Sequence, residues 1–181
     1  MKEKIADLSR KSHPIRVVSG ELLKQDDLDV IVSFLTDDLS WGGPVNQKLI
    51  TAVGHLLDEY VLTTVVKPQP GDAFSTPAFN APCKQLIFGI IPKWDAGLMG
   101  EEKHLKRAIK NILQLAEKKG YSTIGIPAMG GSQNDIPLNK SARIISNALR
   151  ELNLSPFTEI RLVCKSKEVF EAYRERFEAG I

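Results

Sequence analysis

Cysteine occurs only twice in 181 residues, at Cys83 and Cys164, and histidine only three times, at His13, His55 and His104. Neither CxxC nor HExxH is present, so the usual frameworks for a disulfide or a zinc ion are missing. Both cysteines lie in apolar runs and are expected to be buried thiols in a reducing compartment. No metal and no cofactor is expected. No window approaches roughly 18 uncharged apolar residues, so no membrane-spanning helix is expected. The opening MKEKIADLSRKSHPIRVV lacks the apolar core of a signal peptide, which makes the cytoplasm the expected location. An excess of one charge is missing too: 24 Lys and Arg face 22 Asp and Glu, a net charge of +2. Such a balance gives no global field for nucleic acid or an acidic membrane. GxGxxG and GxxxxGK[ST] are also absent, which removes dinucleotide-Rossmann and P-loop assignments.

The chain that remains is 43% hydrophobic and 25% charged, the balance of a globular protein, and is read as a single domain over residues 1–181. Four stretches have helical periodicity. In GGPVNQKLITAVGHLLDEYV, the positions Val45, Leu49, Ala52, Val53, Leu56 and Tyr60 mark one face, with Gly54 weakening the interior without ending the pattern. The Glu101 to Lys119 stretch carries Leu105, Ala108, Ile109, Ile112 and Ala116, with acids in its first turn and lysines in its last. Two more helices are expected over Leu138 to Leu152 and Lys167 to Ala179, and a short one near Ile5 to Leu8. His55 and His104 read as solvated helix positions, and the basic excess of the Glu101 helix lacks the interleaved aromatics of a nucleic-acid surface.

Strand-like runs occupy Ile15 to Ser19, Val30 to Phe34, Ala73 to Thr76, Gln85 to Ile91, Ser122 to Ile126 and Glu159 to Cys164. Several are apolar throughout, as central strands covered on both faces would be. The second half alternates strand and helix, which implies an α/β sandwich with a largely parallel sheet. The segment from Val66 to Pro82 contains four prolines and reads as an edge or connection.

In such a sheet, ligands bind at the carboxyl ends of the strands. Two connections there have suitable chemistry. SFLTDDLSWGGPVN leaves a strand, passes Thr36, Asp37 and Asp38, and enters a helix beyond Gly42-Gly43. IPAMGGSQNDIP places Gly130, Gly131 and Ser132 between a strand and the Leu138 helix. Glycine allows close backbone approach, and a helix start presents N–H groups suited to phosphate. Two such turns at one sheet edge could clamp a diphosphate. Trp41, beside the first, is a candidate stacking platform or a packing residue; Trp94 reads more simply as packing.

The segments VVSGELLKQDDLDVIVSF, WGGPVNQKLITAVG, GDAFSTPAFNAPCKQLIFGII, LAEKKGYSTIGIPAMGG and RLVCKSKEVFEAY, taken in order, resemble a macrodomain, the ADP-ribose-binding α/β module. The resemblance implies a three-layer α/β/α sandwich with a mixed, mostly parallel six-stranded sheet. It implies ADP-ribose or a related nucleotide as ligand, with an ADP-ribosylated protein as a further partner. Where members have Gly-Asp after the first strand, this chain has Gly20-Glu21, so the resemblance places adenine near Glu21. It places the diphosphate on Gly42 and Gly43 and on Gly130, Gly131 and Ser132, with Trp41, Val45 and Asn134 as further ligand-binding candidates. Asn134 replaces the aromatic usual after the second glycine loop, and Lys165 replaces one found after the last strand in some members.

Hydrolytic members use an Asn-Ala-Ala-Asn run and a following acid. The matching residues here are Ser33-Phe34-Leu35-Thr36 and Asn46. An amide has no basic form, so Asn46 can orient a water but cannot take its proton. The candidates for any catalysis are therefore Thr36, Asp37, Asp38 and Asn46, with the two acids also readable as solvent-facing or capping residues. Binding without efficient catalysis is the leading expectation. An ADP-ribosyl hydrolase and a protein-interaction module that has lost its nucleotide are the alternatives.

Overall fold

The computed structural model describes residues 5–6, 13–130 and 136–178. Its strands are β1 (Ile5–Ala6), β2 (Ile15–Ser19), β3 (Val30–Leu35), β4 (Ala73–Pro77), β5 (Gln85–Ile90), β6 (Thr123–Pro127) and β7 (Glu159–Cys164). They form one sheet in the order β1-β2-β7-β6-β3-β5-β4. The pairings among β2, β7, β6, β3 and β5 are parallel, and β1 and β4 are antiparallel edges. The helices are α1 (Pro44–Val53), α2 (His55–Thr64), α3 (Glu101–Lys118), α4 (Leu138–Glu151) and α5 (Lys167–Glu178). This is the expected α/β sandwich with its mixed, mostly parallel sheet.

The six strands read from the sequence are the six longer ones, and the two-residue β1 adds a seventh. A helix was expected near Ile5 to Leu8. Ile5 and Ala6 instead pair with Val18 and Val17, and the rest of that stretch lies outside the described residues. A two-residue strand has no period to read; only its partner makes it a strand.

The uniform apolar runs are explained by two cores. Val30, Val32 and Phe34 of β3 point to the layer of α3, α4 and α5, whereas Ile31 and Leu35 point to that of α1 and α2. β5 divides the same way, with Ile87 on one side and Leu86, Phe88 and Ile90 on the other. Alternating side chains therefore meet apolar partners on both faces. Cys164 is buried and Cys83 half-buried, both as free thiols. No described helix is long and apolar enough to cross a membrane.

The expected single helix through Gly54 is two helices. Gly54 adopts φ +84° and ψ −174°, which breaks the ladder and resets the helical phase. Leu57 and Val61 consequently face the core, while Leu56 is 52% exposed. Ala52, also expected inward, is exposed.

Asp29 fixes the amino ends of β3 and β6. Its carboxylate accepts the N–H groups of Ser122 (3.0 Å) and Thr123 (3.2 Å) and pairs with Lys84 at 2.6 Å. Its own N–H donates to the Thr123 hydroxyl at 2.8 Å. Burial pushes this carboxyl upward, but Lys84 and the backbone donors outweigh it and hold the pKa at about 2.

Candidate functional site

Beyond that fixed end, β3 and β6 part. They pair only at Val30–Ile124 and Ile31–Gly125, whereas β3 pairs with β5 along its full six residues. Pro127, at the end of β6, has no N–H to extend a ladder. The parted carboxyl ends open a crevice of about 400 Å³, floored by Ser33, Phe34 and the Pro127–Gly130 turn. Pro44 and Val45 at the start of α1 form one wall, and Leu138 with Lys165, Ser166 and Glu168 another. A smaller lobe of about 60 Å³ shares Pro44, Val45, Pro127, Ala128 and Lys165, and extends to Glu21, Leu23 and Lys48.

The first glycine turn is held in place by Asn46. This side chain is 3% exposed; its amide donates to the carbonyls of Phe34 (2.8 Å) and Gly42 (3.0 Å) and accepts the Ser33 hydroxyl at 2.5 Å. Both ends of the amide are thus engaged in tying β3 to the turn. Gly43 caps α1 with φ +84°, a conformation that a side chain would strain, and Pro44 occupies the first helical position. The first backbone bond of α1 runs from Gln47 to Gly43, so the N–H groups of Val45 and Asn46 have no intrahelical acceptor. A Cβ on Gly42 would meet nothing within 4 Å, so this residue faces open space.

Trp41 is pinned rather than open. Its indole N–H donates to Asp58 at 2.6 Å, and its ring meets Phe88 edge-on at 5.6 Å. Trp94 packs against the larger core with the Lys140 ammonium 5.2 Å above its ring. His55 is exposed, as expected, but His104 is half-buried and its Nδ1 has no hydrogen-bond partner among the described residues.

Thr36 and Asp38 form a turn of their own. The Thr36 hydroxyl donates to Asp38 at 2.5 Å, the Ser40 N–H donates to the same oxygen at 3.1 Å, and Lys93 lies 3.6 Å from the other. Hydroxyl donors from Thr36 and Ser40 hold the Asp38 carboxyl far below the ordinary range. Asp37 is exposed beside it. In the second glycine loop, Gly130 lines the crevice, while Gly131, Ser132 and Asn134 lie outside the described residues.

Glu21 lines the smaller lobe and is bound to Lys48 at 2.9 Å and Lys24 at 3.0 Å. Lys48, then Lys24, lowers its pKa to about 2. Lys165 borders both lobes, is exposed, and has no ion pair among the described residues. Sequence reasoning missed Ser166 and Glu168 as lining residues, although they follow a strand end just as the two glycine turns do. It also treated Glu101 only as a first-turn acid. Glu101 is 1% exposed, and its carboxylate accepts the N–H groups of Asp95 (2.6 Å), Met99 (2.8 Å) and Gly97 (3.1 Å), shaping the loop into α3.

A mostly parallel sheet covered on both faces, with a crevice between parted strand ends and a helix start on its rim, defines an α/β ligand-binding fold. The chain belongs to the macro domain family, whose sequence pattern matches residues 35–145. It is 32% identical over 166 residues to an O-acetyl-ADP-ribose deacetylase of Enterobacter cloacae subsp. cloacae, covering 88% of this chain and 91% of that protein. It is 30% identical over 157 residues to a macro domain-containing protein of Methanosarcina mazei, covering 85% and 82%. Its fold superposes on the Oceanobacillus iheyensis macrodomain with ADP at a TM-score of 0.87 and 20% identity, covering 99% of this chain and 97% of that one. The Trypanosoma brucei macrodomain in complex with ADP gives 0.78 at 21% identity, covering 90% and 68%.

Proposed function

We propose that this chain, folded as a single domain in the cytoplasm, binds ADP-ribose or a related nucleotide diphosphate in the β3–β6 crevice without efficient hydrolysis. The observation that carries the reading is the facing of the α1 start and Gly130 across the parted strands. The N–H groups of Val45 and Asn46, with the α1 dipole behind them, suit one phosphate, and the Gly130 turn suits the other. The base then enters the lobe beside Glu21, and Lys165, which has no ion pair among the described residues, adds a cation between the two lobes. The relatives named for O-acetyl-ADP-ribose and the structural neighbours with ADP support this ligand class. An ADP-ribosylated protein is a partner of the same chemistry.

The absence of efficient turnover follows from how the candidate side chains are engaged. Asn46 spends both ends of its amide on tying β3 to the turn, Thr36 and Asp38 hold each other, and Asp37 is solvated. None is left as a base poised over the crevice. The relatives named as deacetylases favour a second reading, in which backbone donors alone assist slow cleavage of an ADP-ribose ester.

Calorimetric titration with ADP-ribose, ADP, ATP and NAD tests binding, with saturable ADP-ribose binding expected. Timed release from O-acetyl-ADP-ribose and from mono-ADP-ribosylated protein tests catalysis, and little release is expected. Multiple turnover that drops steeply in T36A, D37A, D38A or N46A would establish the hydrolase instead.

A further inference from the structure

Two buried hydroxyls converge on one carbonyl next to the crevice. Tyr173 of α5 and Ser141 of α4 are both 0% exposed. The Tyr173 hydroxyl donates to the Met129 carbonyl at 2.6 Å, and the Ser141 hydroxyl reaches the same oxygen at 2.6 Å. Ser141 has a longer alternative acceptor, the Leu138 carbonyl at 3.0 Å, within its own helix. Neither hydroxyl is needed for packing, since phenylalanine and alanine would fill these positions without a polar group to satisfy. Burial accordingly pushes the Tyr173 hydroxyl far above its ordinary range, so it stays a donor at any relevant pH.

The consequence lies on the other side of the peptide. In a trans peptide the C=O and the following N–H point in opposite directions, and the described chain has no cis bond. An oxygen held inward by Tyr173 and Ser141 therefore turns the N–H of Gly130 outward. Met129 and Gly130 both line the crevice, and Gly130 has no hydrogen-bond acceptor for this N–H among the described residues. Gly130 itself adopts φ +135°, and a Cβ there would come within 2.8 Å of the Leu138 Cα, so α4 closes against it from behind. We propose that Tyr173 and Ser141 are positioning residues for anion binding: by holding the Met129 carbonyl they aim the Gly130 N–H at a phosphate oxygen of the bound diphosphate. The inference rests on the nucleotide-diphosphate reading of the crevice, and it adds residues from two helices that no glycine motif would reveal.

Two arms test it. Without ligand, the Met129 carbonyl carbon and Gly130 amide resonances of Y173F, S141A and the double variant are compared with those of the parent. Both resonances must shift, while the Val45 amide stays in place. In the second arm, ADP-ribose and inorganic pyrophosphate are titrated. Each single variant should weaken binding about fivefold, the net worth of one hydrogen bond. The ligand-induced shift at the Gly130 amide should shrink, and that at Val45 should persist. A merely structural role would lower thermal stability without this selective loss at one amide. If the parent binds neither probe, the nucleotide reading fails, and the first arm still decides the clamp. Unmoved Met129 and Gly130 resonances in Y173F, which keeps the ring and its packing, would overturn the clamp. So would full affinity with an intact Gly130 shift.

Discussion

Replacing Asn46 by aspartate would put an acid at the position that the sequence resemblance matches to the acid of hydrolytic macrodomains, and the structure predicts damage rather than activity. The wild-type amide donates to the carbonyls of Phe34 and Gly42 at 2.8 and 3.0 Å. A carboxylate keeps the bond from Ser33 but turns its second oxygen against those two carbonyls. Asn46 is 3% exposed, so water cannot relieve the conflict. Leaving a buried charge uncompensated costs about 3–5 kcal/mol, a large part of the roughly 5–15 kcal/mol that stabilises a typical domain. The sign with pH is determined by the same geometry. Two facing carbonyls and burial raise the introduced carboxyl's folded pKa above its unfolded value of about 3.9. The folded state then holds the proton longer, and the N46D defect grows as pH rises above about 4 and shrinks toward it. Urea unfolding of wild type and N46D at pH 7 and pH 5 measures both quantities, with m-values compared to confirm two-state behaviour. ADP-ribose affinity should fall with the loosened Gly42 turn, and no turnover should appear. A loss below about 1 kcal/mol at pH 7, or one that increases toward pH 5, would refute the role given to Asn46.

Gly43→Val strains a residue at φ +84° at the cap of α1; ADP-ribose affinity should fall at least about tenfold, whereas H104A should bind as wild type does in the same calorimetric titration. E21A should bring adenine and guanine diphosphates toward equal affinity if Glu21 reads the base, and an undiminished preference for adenine would remove it from that role. Glu101 is subject to burial, which raises its pKa, and to backbone donors, its own N–H first and then those of Asp95, Met99 and Gly97, which outweigh burial for a net depression. Its contribution to stability is therefore present above the ordinary carboxylate pKa near 4.5 and lost as pH falls below it. E101Q should flatten that acid limb of the pH–stability curve, measured by thermal melts from pH 6 to pH 3; a limb of unchanged steepness would count against the three-donor cap.

Local pattern was enough for much of the fold. The apolar runs at Val30, Gln85 and Thr123 announced strands buried on both faces, because a residue with no polar neighbour at either parity has no solvent side to offer. The amphipathic stripes of α3 and α4 announced their faces, because a helix repeats its environment every three or four residues. Gly42-Gly43 and Gly130 could be picked out as turns at strand ends, and Gly43 and Gly130 do adopt positive φ, which other residues reach only with strain. The rest depended on residues far apart in the chain. Whether Gly54 merely weakens a helix or splits it is decided by how α2 must lie to bury Leu57 and Val61. That β3 and β6 separate after two ladder pairs, and so open a crevice beyond the end that Asp29 joins, shows only once segments far apart in the chain are paired. Asn46 reads as a plain amide in sequence, and it becomes a brace only because Phe34 and Gly42 bring their carbonyls to it. Met129, Ser141 and Tyr173 carry no shared motif; α4 and α5 bring them together from 12 and 44 residues away. Hydrogen bonds between distant segments leave no period in the sequence, so their geometry exists only once the core has packed.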